Sequence, residues 1–163
     1  MAATLSVRVY TAAAAGTESG SGQTGIDFIS ADNATNSSGN RTSFPIDVGT
    51  NSFEKWLKLK VDAAPANGVT NFKIWGDGAV QTSTTLMWTG AYITGVTPVA
   101  SASSKANTNF NGFTSGNKGT WDTNAYTATN ATTQYSVFQL VVDSTCGPGN
   151  WTQETISYGF DET

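Results

Sequence analysis

The chain has 163 residues, a formal net charge of -4, and only 12% charged residues against 38% hydrophobic and 11% aromatic. This length fits one domain of about 100 to 200 residues, and the aromatic content excludes a disordered chain. The eight Lys and Arg are scattered rather than gathered into a stripe that could follow a phosphate backbone, so nucleic acid is not an expected partner. Histidine is absent and cysteine occurs once, which removes the usual proton shuttle and nearly every zinc ligand set. Thr, Ser, Asn and Gly fill the gap left by the missing charge, so a polar but nearly uncharged surface is expected.

Met1-Ala2-Ala3-Thr4 lacks a basic n-region and leads into an alternating segment, so no export signal is expected and the chain should fold in a cytoplasm. The Ala12 to Ala15 run stops at Gly16, far below the roughly 18 apolar residues of a membrane span. Five N-x-S/T triplets begin at Asn33, Asn36, Asn40, Asn130 and Asn150, as chance provides in a chain so rich in Asn and Thr.

Period-two alternation dominates and predicts strands. Leu5 to Tyr10 alternates Leu5, Val7 and Val9 against Ser6, Arg8 and Tyr10. Thr17 to Gly25 reads as a loop, Ile26 to Ser30 as a short strand, and Asp32 to Thr42 as a long polar loop closed by Phe44-Pro45-Ile46, where Pro45 restricts the chain to an edge or a strand start. From Phe53 to Asp62, Leu57, Leu59 and Val61 face one way and Lys58, Lys60 and Asp62 the other; the lysines suggest a solvated or edge face. Thr70 to Trp75 sets Phe72 and Ile74 against Lys73 and Trp75. In Thr84 to Thr94 the hydrophobic residues occupy both parities, which predicts a bulge near Gly90 or two covered faces.

The segment 97–130 is a long polar loop carrying Phe110, Phe113, Trp121 and Tyr126, so it should hide short strands or pack onto the body. Tyr135 to Asp143 is apolar on both faces and should be a central strand; Thr152 to Phe160 closes the chain after a turn at Cys146 to Asn150. About eight strands without helices predict an all-β fold: one antiparallel two-sheet β-sandwich over 1–163, jelly-roll-like, with residues 1–10 or 97–130 available as an attachment arm.

No nucleophile has a histidine base, so no catalytic residue is assigned. Asp143 and Glu154 are the best carboxylate pair for glycoside hydrolysis, but both read more simply as exposed strand ends. Calcium could engage Asp32 with Asn33, the Gly76-Asp77-Gly78 turn, or Asp161 with Glu162. None makes a metal-binding loop pattern, and no cofactor is expected. Cys146 lacks a partner and an activating base. Trp75, Trp88, Trp121 and Tyr126 are the candidate interaction surface, since flat rings stack on sugars and anchor interfaces.

Ser30-Ala31-Asp32-Asn33-Ala34-Thr35, Gly49-Thr50-Asn51-Ser52-Phe53-Glu54-Lys55-Trp56-Leu57, Val142-Asp143-Ser144 and Tyr158-Gly159-Phe160-Asp161-Glu162 resemble segments of small accessory virion proteins of tailed bacteriophages. The resemblance implies a non-enzymatic head decoration or cement protein. Its partner would be the major capsid protein or another virion protein, and it would itself be a homo-oligomer, often a trimer, located on the virion. The alternative is a carbohydrate-binding or receptor-binding β-sandwich that uses the exposed aromatics on a glycan.

Overall fold

The alternating segments do become strands, because β-branched and aromatic residues at every second position let one face of a pleated ribbon bury while the other meets water or a cover. The computed structural model describes residues 2–11, 18–32, 37–79, 81–93, 98–147, 149 and 153–163. Within these lie β1 (Thr4–Tyr10), β2 (Glu18–Ser21), α1 (Ser38–Ser43), β3 (Lys55–Ala63), β4 (Val69–Gly76), β5 (Thr84–Tyr92), β6 (Thr108–Asn109), a 3-10 turn at Phe110–Gly112, β7 (Gly119–Asp122), β8 (Tyr135–Val142) and β9 (Ile156–Glu162).

The strands form two antiparallel sheets, ordered β2-β1-β3-β8-β5-β6 and β7-β4-β9. The protein is an all-β sandwich. Its strands divide six and three, whereas the jelly-roll-like arrangement expected from the sequence pairs two sheets of similar size. Val9, Leu57, Leu59, Leu86, Trp88 and Phe138 of the larger sheet meet Phe72, Ile74 and Trp121 of the smaller one in a single core, joined by Phe110.

β8 lies between β3 and β5, as its two apolar faces required. β5 carries the register shift between Thr89 and Tyr92, with Ala91 at φ 55°. A Cβ on Gly90 would stand 2.5 Å from the Thr120 carbonyl oxygen, and one on Gly119 would stand 2.9 Å from two ring carbons of Trp88. Glycine at both places lets the sheets close around that indole.

Several expectations give way. Residues 4–10, expected as an attachment arm, pair with β3 along the whole strand and with β2 at Arg8 to Tyr10. β3 is likewise interior rather than an edge, so its lysines do not guard a free rim. Ile26 to Ser30 is irregular: Ile29 is buried and its carbonyl accepts from Phe53 N, but no ladder forms. The polar stretch before Phe44 contains α1, capped by Ser37, whose side chain accepts from Asn40 N. The buried Asp27 carboxylate accepts from Ser37 N at 2.7 Å and Arg41 Nη1 at 2.6 Å, and so holds the helix to the body. β8 and β9 belong to different sheets, so Cys146 to Asn150 starts a crossover rather than a hairpin; its residues 148 and 150, with Trp151 and Thr152, lie outside the described residues. So do Ala12 to Ala15, Asn33, Asn36 and the Asn150 triplet start.

Candidate interaction surface

Two of the four aromatic candidates are core residues. Trp88 is 5% exposed, wedged among Phe110, Phe113 and Phe138, and donates from Nε1 to Ser136 Oγ at 2.6 Å. Trp121 is 1% exposed and donates to the Gln134 carbonyl at 3.1 Å. Each large ring fills the space between the sheets and satisfies its one donor there, which removes both from the surface. Tyr126 is half-buried, its hydroxyl donating to Asp122 Oδ2 at 2.7 Å. Burial, then that hydrogen bond, pushes its phenol well above the usual range. Trp75 alone faces outward, half-buried on the outer side of β4.

The outer face of the six-stranded sheet has a cover that sequence inspection did not locate. Tyr10, Trp56, Tyr135 and Val137 make a second apolar cluster with Ala106, flanked by Met87 and Tyr92. The rings meet edge to face, with Tyr135 centroids 5.3 Å from Tyr10 and 5.2 Å from Trp56. Lys58 Nζ stands 4.1 Å from the Tyr135 centroid, and burial lowers its pKa. The segment 98–106 straps across this cluster. Gln139, buried to 1%, donates from Nε2 to the carbonyls of Ser52, Val99 and Ser101 at 2.9, 3.3 and 2.8 Å, and accepts from Ser103 N at 2.8 Å. Glu54, fully buried, accepts from Trp56 Nε1 at 3.0 Å and from Ser103 Oγ, and pairs with Lys105 Nζ at 3.5 Å. A cavity of about 170 Å³ remains beneath the strap, lined by Met87, Ser103, Gln139 and Val141 among others.

Asp143, Asp77, Asp161 and Glu162 accept hydrogen bonds within the fold. Asp143 follows β8 and accepts from Thr145 N at 2.8 Å, which lowers its pKa. Glu154 precedes β9 in the other sheet, half-buried beside Gly76, and its pKa is raised by burial and then by Asp77. Asp143 is held by Thr145, whereas the carboxylate that acts on Glu154 is Asp77. Asp77 closes its turn by accepting from Ala79 N and Thr155 N, both at 2.9 Å. Asp161 accepts from Asn71 Nδ2 and Glu162 from Ala3 N. Among the described residues no three of His, Cys, Asp and Glu are gathered as metal ligands, and no helix is long and apolar enough to cross a membrane.

Among the described residues the exposed large hydrophobic side chains are Phe44 at 39%, Val48 at 53% and Ile93 at 76%. Phe44 and Val48 share one irregular loop that is pinned at both ends: Ser30 N donates to the Phe44 carbonyl at 3.0 Å, and Val142 N to the Thr50 carbonyl at 3.0 Å. Here Ser30, the stretch from Gly49, and Val142 to Ser144 converge, a Cβ on Gly49 lying 3.6 Å from Ser144 Cβ. The apolar triplet Phe44-Pro45-Ile46 after a polar run was the available sequence signal for this loop. Comparison of the chain with models of protein families, with curated proteins and with solved structures finds no match.

Proposed function

We propose that the protein is a non-enzymatic structural component of a tailed-phage virion, a head decoration or cement protein that binds and stabilises the outer capsid surface. One observation carries the reading: Phe44 and Val48 are exposed on a loop held rigid by backbone hydrogen bonds to the sandwich. Apolar anchors that are already ordered cost little further entropy on docking, which is what a permanent contact needs. Three of the four segments that resemble accessory virion proteins adjoin this loop. A surface poor in charge supports the same reading, because contacts made by hydroxyl, amide and apolar groups depend little on ionic strength.

Co-sedimentation with capsids stripped of this chain tests the reading. The wild type should pellet with them, at low and high salt alike, and mass spectrometry of intact virions should find it in many copies rather than a few. Phe44→Ser and Val48→Ser should each weaken pelleting by roughly tenfold, the effect of losing about 1.4 kcal/mol from an interface anchor. Failure of the wild type to pellet, or undiminished pelleting of the double variant, overturns it.

A further inference from the structure

The outer face of the three-stranded sheet, away from both the strap and the 44–48 loop, carries its own set of groups. Cross-strand register places Lys73 opposite Thr120 and Gly159, and Trp75 opposite Ser157, while Phe72 and Ile74 turn inward and are buried. The Trp75 indole leans across Gly159, where a Cβ would lie 3.3 Å from ring Cη2. Lys118 Nζ sits 4.3 Å from the ring centroid, and Lys73 Nζ donates to Thr120 Oγ1 at 2.9 Å. Neither lysine is ion-paired among the described residues, whereas Lys105 is bound to buried Glu54 and Lys55 is itself buried.

We propose that this face binds a carboxylated saccharide, the C–H face of the sugar lying on the Trp75 indole and its carboxylate held by Lys118 and Lys73. An indole face attracts both cations and polarised C–H groups. Lys118 occupies that face with a weak, exposed cation–π contact, so an arriving sugar ring takes its place while the ammonium swings to the carboxylate. Gly159 keeps the indole low against the sheet, and Thr120 and Ser157 supply neutral hydroxyls beside it. In a chain of net charge -4, two unpaired lysines flanking a ring select an anionic partner by charge. An indole laid along Gly159 with the hydroxyls of Thr120 and Ser157 in register beside it offers a stacking ring with neutral hydrogen-bonding groups, which favours a sugar over an acidic peptide. This inference is independent of capsid attachment and survives its failure.

Native affinity electrophoresis of the full chain through gels containing alginate, neutral dextran or poly-glutamate tests it. Alginate should retard the wild type and dextran should not. Trp75→Ala and Lys118→Gln should each weaken retardation by about tenfold, while Trp75→Phe keeps most of it. Lys118 is exposed, so its variant remains informative even where the Trp75 substitution disturbs packing on Gly159. No retardation by alginate, equal retardation by poly-glutamate, or insensitivity to both variants overturns the proposal.

Discussion

Replacing Gln139 with leucine isolates the device that holds the strap over the aromatic face. The side chain is buried and faces three carbonyls and one amide N–H. Its two N–H donors and one carbonyl can make three good bonds at once, the 3.3 Å contact to Val99 sharing a donor. At about 1 kcal/mol net each, their loss costs about 3 kcal/mol, and leaving Ser52 O and Ser103 N buried without partners would raise this further. The strap can instead peel into water, which caps the penalty at the cost of exposing Ala106 and the rings of Trp56 and Tyr135. We therefore expect Gln139→Leu to lower unfolding stability by about 2 to 4 kcal/mol in urea titration. Amide exchange should accelerate at Ser103, Ala106 and Glu54, whose N–H donates to Val99 O at 3.0 Å, more than in β4 and β9. A loss below about 0.5 kcal/mol with unchanged exchange would refute the claim that this amide organises the segment.

Gly119→Ala should cost about 1 to 3 kcal/mol and alter the near-ultraviolet circular dichroism of Trp88, because the new methyl meets the indole at 2.9 Å; Gly112→Ala, with open space around it, should be near neutral. Lys55, 2% exposed, has its pKa pushed down to about 8 by burial, against the opposing pull of Asp32 and Asp27. The unfolded chain then holds the proton more tightly than the folded one, so wild-type stability should rise by about 2 kcal/mol between pH 8 and pH 10. Lys55→Met should flatten that rise in denaturant titrations at each pH. Tyr126 has the opposite sign: its raised pKa contributes stability fully present below its ordinary value near 10 and lost as pH climbs beyond it. Spectrophotometric titration should therefore show the same number of tyrosines ionising near pH 10 in the folded wild type and the folded Tyr126→Phe variant, the variant's deficit of one tyrosine appearing only after alkaline unfolding.

The strand faces were legible because each is decided locally. Leu57, Leu59 and Val61 against Lys58, Lys60 and Asp62 follow from the two-residue repeat, while hydrophobic residues at both parities around Gly90 left open a bulge or two covered faces, which the register shift between Thr89 and Tyr92 decides. The surface candidates were less legible. Alternation set Trp75 on the face opposite Phe72 and Ile74 and left Trp88 in a strand apolar at both parities, but burial depends on which sheet covers each face. Gln139 and Glu54 gave no signal, since a lone amide or acid in a strand looks solvent-facing until a segment 36 or 49 residues away in sequence folds over it.

Side-chain period, turn residues and the scarcity of charge determined on their own that this chain makes paired strands with a central Tyr135 to Val142, because those are properties of neighbours a few residues apart. The tertiary structure decided that Trp88 and Trp121 fill the core and that residues 4–10 are interior strand. It also decided that residues 98–106 cover a second apolar face, and that Phe44 and Val48 are left exposed and Trp75 half-buried. Those outcomes depend on which distant surfaces meet, and loop closure brings such surfaces together at a cost that local pattern does not encode.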